Sequence, residues 1–114
     1  MRTLTRIFKA LSDSNRLRII KMLEQGPLCV CEITAVLNLA SSTVSKHLSI
    51  LRDAELILDE KRGKWVHYRL NQSKTETYVN ELLPLLAGWL PDDQIVKRDA
   101  WNIDKVDRQV LQQH

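Results

Sequence analysis

Cys29 and Cys31, the only cysteines of this 114-residue chain, stand two positions apart in Leu28-Cys29-Val30-Cys31-Glu32-Ile33. Thiolates select soft, thiophilic ions, and a pair of them could share one. Two sulfurs are too few for a closed structural zinc site, which takes four ligands. A second group follows about ten residues later in Ser41-Ser42-Thr43-Val44-Ser45-Lys46-His47-Leu48. Short hydroxyl side chains mixed with a cation and an imidazole suit contact with nucleic acid. Ser41 and Ser42 would hold phosphates, while Thr43, Ser45, Lys46 and His47 would approach base edges. Taken singly, Lys46 is as readily a solvated charge, and each cysteine a small buried hydrophobe; the joint pattern carries the reading.

The elements that must position these groups follow from periodicity. Leu4, Ile7, Phe8 and Leu11 give the stripe of a first helix over 3–11. The capping cluster Ser12-Asp13-Ser14-Asn15 opens a second, which Gly26-Pro27 stops. A short helix over Cys29–Leu37 buries Ile33, Val36 and Leu37, and Asn38-Leu39-Ala40 makes a tight turn. Ser41 or Ser42 then caps a helix whose buried stripe is Val44, Leu48 and Leu51. Two helices joined by so short a turn form a helix-turn-helix, whose second helix enters the major groove. Beyond it, residues 56–62 and 64–70 flank Gly63 as a β-hairpin, or wing. Its tip carries Arg62 and Lys64, placed for the phosphate rail or the minor groove.

A long helix from Ser73 to Leu90 follows, interrupted by Pro84, which should kink it or free a carbonyl. Its apolar stripe, from Tyr78 to Leu90, is too broad for one face of a small domain. Core burial remains open, but a subunit interface joined by the first helix is favoured. Residues 91–114 read as a C-terminal tail in which Ile103, Val106, Val110 and Leu111 mark a weak amphipathic helix; His114 reads as a disordered end. The predicted fold is therefore mainly α with a β-hairpin: a winged helix-turn-helix over 1–90 and a part-helical tail over 91–114, homodimeric through the first and last helices of the domain.

Charge agrees with this arrangement. Residues 1–70 carry 12 Lys/Arg against 7 Asp/Glu, and residues 71–114 carry 5 against 7. The basic excess thus lies with the DNA-reading elements. No apolar run approaches the roughly 20 residues that span a bilayer, and the N-terminus lacks a signal-peptide pattern. A cytoplasmic protein without a membrane partner is expected. No glycine-rich phosphate loop, C-x-x-C or paired carboxylates point to an enzyme.

On an ideal helix, positions i and i+2 lie about 200° apart. Cys29 and Cys31 would then close on one ion only if the first turn unwound, which is itself a switch, and a C-x-C disulfide would be strained. His67 reads as a wing residue without a metal role.

The Ser12–Ile19 segment, the L-C-V-C-E box, Ser42 through Ile57, the Arg62-Gly63 wing and Tyr68-Arg69-Leu70 occur here in order. With them, residues 3–90 resemble the ArsR family of winged-helix metalloregulatory repressors. The resemblance implies a homodimer on an inverted-repeat operator in double-stranded DNA, released when an inducer binds. The box implies As(III) or Sb(III) as that inducer, held by Cys29 and Cys31 and not a permanent cofactor. The chain has no third cysteine, so a third ligand is left to water, hydroxide or a small thiol. The alternative is a thiol-redox or other soft-metal response, such as to Cd(II), through the same cysteines.

Overall fold

The computed structural model describes residues 1–73 and 76–113, with side-chain surroundings through residue 106. The elements run α1 (Arg2–Leu11), α2 (Ser14–Leu23), β1 (Leu28–Cys29), α3 (Val30–Leu37), α4 (Ser41–Asp53), β2 (Ile57–Arg62), β3 (Trp65–Leu70), α5 (Thr77–Ala87) and α6 (Gln94–Gln113). α3 and α4 are the expected helix-turn-helix. Asn38 closes α3 in the left-handed region, at φ 54°, and its N–H donates to the Thr34 carbonyl at 2.9 Å. β2 and β3 form the wing, paired antiparallel from Ile57↔Leu70 to Arg62↔Trp65, with Gly63 at φ +62° in the turn. Glycine takes that conformation without steric cost.

One core joins these elements. Ile19, Ile20, Ile33, Val44, Leu48, Leu51, Leu56 and Ile57 are all fully buried and belong to a single apolar cluster. The stripe spacing of α4 therefore faces the same interior as α2 and α3. Arg16 adds a polar strap. Its guanidinium donates to the Ala10 and Lys9 carbonyls at the end of α1, at 2.6 and 3.3 Å, and meets His47 Nδ1 of α4 at 3.2 Å.

Four expectations change. α3 starts at Val30, not at Cys29, because Leu28-Cys29 pairs with β3 (Leu28↔Tyr68, Cys29↔His67) and makes a third strand in the order β1-β3-β2. Neither Ser41 nor Ser42 caps α4; Ala40 is the N-cap, and no side chain caps the helix. α5 is shorter than expected and its stripe divides: Val79, Leu83 and Leu86 enter the core, while Tyr78, Leu85, Trp89 and Leu90 stay exposed. The end of α5 is held instead by Lys21, whose buried ammonium donates to the Leu86 and Trp89 carbonyls at 2.9 and 2.8 Å and pairs with Glu24. Finally, the segment expected as a part-helical tail is the 20-residue α6, packed on α2 and α3 through Ile103 and Val106. Val110 and Leu111 lie outside the described side chains, and His114 outside the described residues.

α6 is fixed by a fork of Arg18 on Asp99: Nε to Oδ2 at 2.8 Å and Nη2 to Oδ1 at 3.0 Å, with the carboxylate 3% exposed. The hydrogen bond that Arg18 donates to Asp99 raises the Arg18 pKa against the opposing effect of burial. Removing one partner strands a buried charge. Arg18→Met should therefore destabilise the fold by about 3 kcal/mol in urea unfolding, and Arg18→Met with Asp99→Leu should recover much of the loss.

At α2, the Asp13 side chain accepts from the Asn15 and Arg16 N–H groups at 2.8 and 3.1 Å. Burial works to raise its pKa, but these donors and the Arg16 charge outweigh it, so the value lies below the ordinary one. Asp13→Ala should cost about 1 kcal/mol at neutral pH. In the unsubstituted protein the same contribution is present above the ordinary carboxylate pKa and is lost as pH falls through the depressed one.

Candidate sensor and DNA interface

The cysteine pair sits where strand turns into helix. Cys29 is extended (φ −69°, ψ 148°) and is the N-cap of α3, whereas Cys31 lies in the first turn. This geometry overturns the expectation of two sulfurs on opposite sides of a helix. The Cα atoms are 5.2 Å apart and the sulfurs are paired as a disulfide. Only one of the two residues is helical, so the helical i, i+2 separation does not hold and the sulfurs meet without any unwinding of α3.

A reciprocal cap builds the junction. The Cys31 N–H donates to Cys29 Sγ at 3.2 Å, and the Cys29 N–H donates to Glu32 Oε1 at 2.8 Å. A serine or threonine normally fills the first role; here sulfur does. Glu32 is buried by it, and Cys29 is 4% exposed. One turn on, the Thr34 hydroxyl donates to the Val30 carbonyl at 2.7 Å. Among the described residues, no group of three or more His, Cys, Asp or Glu side chains is arranged around a metal position.

The second set of residues lies on α4 and the wing tip. Ser41, Ser42, Thr43, Ser45 and Lys46 are exposed along the first turns of α4, and Arg62 and Lys64 are exposed on the wing. His47 is the member that turns inward, half-buried against Arg16. Arg62 has a loose contact with Glu60 at 3.6 Å. Arg52 at the end of α4 reaches Asp59 of β2 at 3.0 Å, tying the helix to the wing, and that hydrogen bond raises the Arg52 pKa. Burial, with Asp59 adding to it, raises that of Tyr68 behind the wing.

Sequence reasoning missed three contacts here: Arg16 with His47, the cap made by Glu32, and His67 opposite Cys29. The Cys29-to-Glu32 spacing could have flagged the cap, since it is a capping-box interval. A two-residue strand leaves no periodicity to read.

A helix-turn-helix on one core with a charged hairpin beside it defines a winged-helix DNA-binding protein. Residues 13–58 match the bacterial regulatory protein arsR family. An arsenic resistance transcriptional regulator of Pseudomonas putida, ArsR2, is 37% identical over 94 residues, covering 78% of this chain and 81% of that protein. The arsenical resistance operon repressor of Escherichia coli is 48% identical over 66 residues, or 57% of this chain; the match spans 56% of that protein's length. Among solved structures, HlyU from Vibrio cholerae superposes with a TM-score of 0.64 at 32% identity, covering 75% of this chain and 88% of HlyU. A homodimeric winged helix-turn-helix DNA-binding domain from Mycobacterium bovis gives 0.64 at 23% identity, over 99% of this chain and 85% of that one. The chain belongs to the arsR family. It is a DNA-binding regulator of transcription and not an enzyme.

Each phosphate contact releases counterions, so binding should weaken steeply with salt. Lys46→Ala combined with Arg62→Ala should flatten the log–log salt slope by about 1 to 2. An unchanged slope, measured by fluorescence anisotropy on a duplex, would place the docking face elsewhere.

Proposed function

We propose that this protein represses an arsenic-resistance operon in the cytoplasm and leaves its operator when As(III) or Sb(III) binds Cys29 and Cys31. The observation that carries the reading is the meeting of the two sulfurs at the start of α3, the first helix of the helix-turn-helix. Reduced, the pair offers two soft ligands in one place. Relatives called arsenical resistance operon repressors favour this inducer class.

The cap is the switch. Cys29 Sγ accepts the Cys31 N–H, and the same sulfur must bond the metalloid. Ligation draws electron density from that acceptor and pulls on both β1 and α3. β1 is paired with β3, so the pull also reaches the wing. Val36, Leu37, Val44 and Leu48 share the core between the two helices, so a shift of α3 re-aims α4. Ser41 and Ser42, at a helix N-terminus without a side-chain cap, meet phosphate; Thr43, Ser45 and Lys46 face base edges, and Arg62 and Lys64 follow the backbone. His47 contributes by fixing α4 against Arg16 as well as by any base contact.

The reader acts as a homodimer. Phe8 of α1 is 57% exposed, and on α5 Tyr78 and Leu85 remain exposed, with Trp89 just beyond it. A second copy covering these apolar faces would present two recognition helices to an inverted repeat with half-sites about 34–36 Å apart.

A thiol-redox response is the second reading, favoured by the sulfurs being paired as a disulfide. Anisotropy on the protein's own upstream DNA tests both, with arsenite added under a phosphine reductant and diamide added after the reductant has been removed. Low arsenite should release the DNA, and Cys29→Ser or Cys31→Ser should abolish release. Release by diamide with indifference to arsenite would replace the metalloid reading with the redox one.

A further inference from the structure

Cys29 and His67 are direct partners in the β1–β3 ladder. Their side chains leave the same face of the sheet with Cβ atoms about 4.5–5.5 Å apart. Nδ1 of His67 is buried, and it has no hydrogen-bond partner among the described residues. Glu60, which faces His67 from β2, turns its carboxylate to Arg62. Native proteins keep few buried polar atoms unpaired, and such an atom beside a binding site marks a place for something that binds.

The cysteine site, meanwhile, lacks a third contact. Trivalent arsenic bonded to two sulfurs keeps one further substituent, the chain has no third cysteine, and the Thr34 hydroxyl is engaged with Val30. We propose that His67 supplies the missing contact: its Nδ1 accepts a hydrogen bond from the hydroxyl that stays on arsenic once Cys29 and Cys31 have bound it. The exchange balances. Arsenous acid and two thiols form two As–S bonds and release two waters, each made from one arsenic hydroxyl and one thiol proton. The third hydroxyl remains, and arsenic stays trivalent. With its ring proton on Nε2, His67 presents Nδ1 as an acceptor. The inference rests on the cysteine pair being the inducer site.

His67 then makes the site selective for arsenicals that keep a hydroxyl. The test compares arsenite with methylarsonous acid, whose methyl group takes the third position and leaves no hydroxyl after two sulfurs bind. Affinities of both for the reduced full chain are measured by titration calorimetry in the unsubstituted protein, His67→Phe and His67→Gln. Arsenite should bind His67→Phe about three- to tenfold more weakly. His67→Gln, whose amide oxygen accepts, should recover most of that loss. Methylarsonous acid should bind all three alike. An equal loss for both arsenicals, or no loss for arsenite, overturns the role of His67. Binding of both arsenicals that persists when Cys29 and Cys31 are serine overturns the cysteine reading itself, and the His67 contact with it.

Discussion

The rest of this structure depends on a change of backbone conformation at a single residue. Cys29 is extended and its successor is helical, and the break is held by two reciprocal hydrogen bonds, sulfur to N–H and N–H to carboxylate. Strand geometry on one side allows Leu28-Cys29 to join β3. Helix geometry on the other sends Ile33, Val36 and Leu37 into the core. If residue 29 were helical, the sulfurs would diverge and the sheet would lose its third strand. The sensor chemistry proposed for this pair and the local folding therefore use the same atoms.

Transmission from that junction needs no separate pathway. α3 and α4 share one close-packed interior, and the Arg16 guanidinium locks the end of α1 to the middle of α4. Interiors of this density do not deform continuously, so a displaced helix drags its neighbours. β3 is the central strand, hydrogen-bonded to β1 on one edge and β2 on the other, which makes the wing an extension of the strand that carries Cys29.

Most of the fold was legible because helix stripes and hairpin alternation repeat several times. Ile7, Val44, Leu48 and Leu51 lie where their spacing put them, and Gly63 turns the hairpin. The misreadings share a cause: they concern features that do not repeat. A strand of two residues has no period, so Cys29 was drawn into the helix that follows it. The stripe from Tyr78 to Leu90 was visible, but spacing alone does not say that Val79, Leu83 and Leu86 enter the core while Tyr78, Leu85, Trp89 and Leu90 stay exposed; Lys21 anchors the end of that helix. α6 looked weak because few of its described side chains reach the core, Ile103 and Val106 among them; a charged fork completes its docking. Around the candidate site, the sequence shows the cysteine pair and the hydroxyl-rich start of α4, whose Ser41, Ser42, Thr43 and Ser45 the structure leaves exposed. The partner of Cys29 across the sheet could not, since it lies 38 positions away.

The fork between Arg18 and Asp99 joins positions 81 residues apart. Loops of that length close late and at an entropic cost. During synthesis, the faces of α2 and α3 that α6 covers stay wet until the chain has been made through about Val106. The helix that carries Cys31 thus acquires its final packing only after the DNA-reading elements have been translated. In the order of assembly, the reader comes first and the seal on α3 comes last.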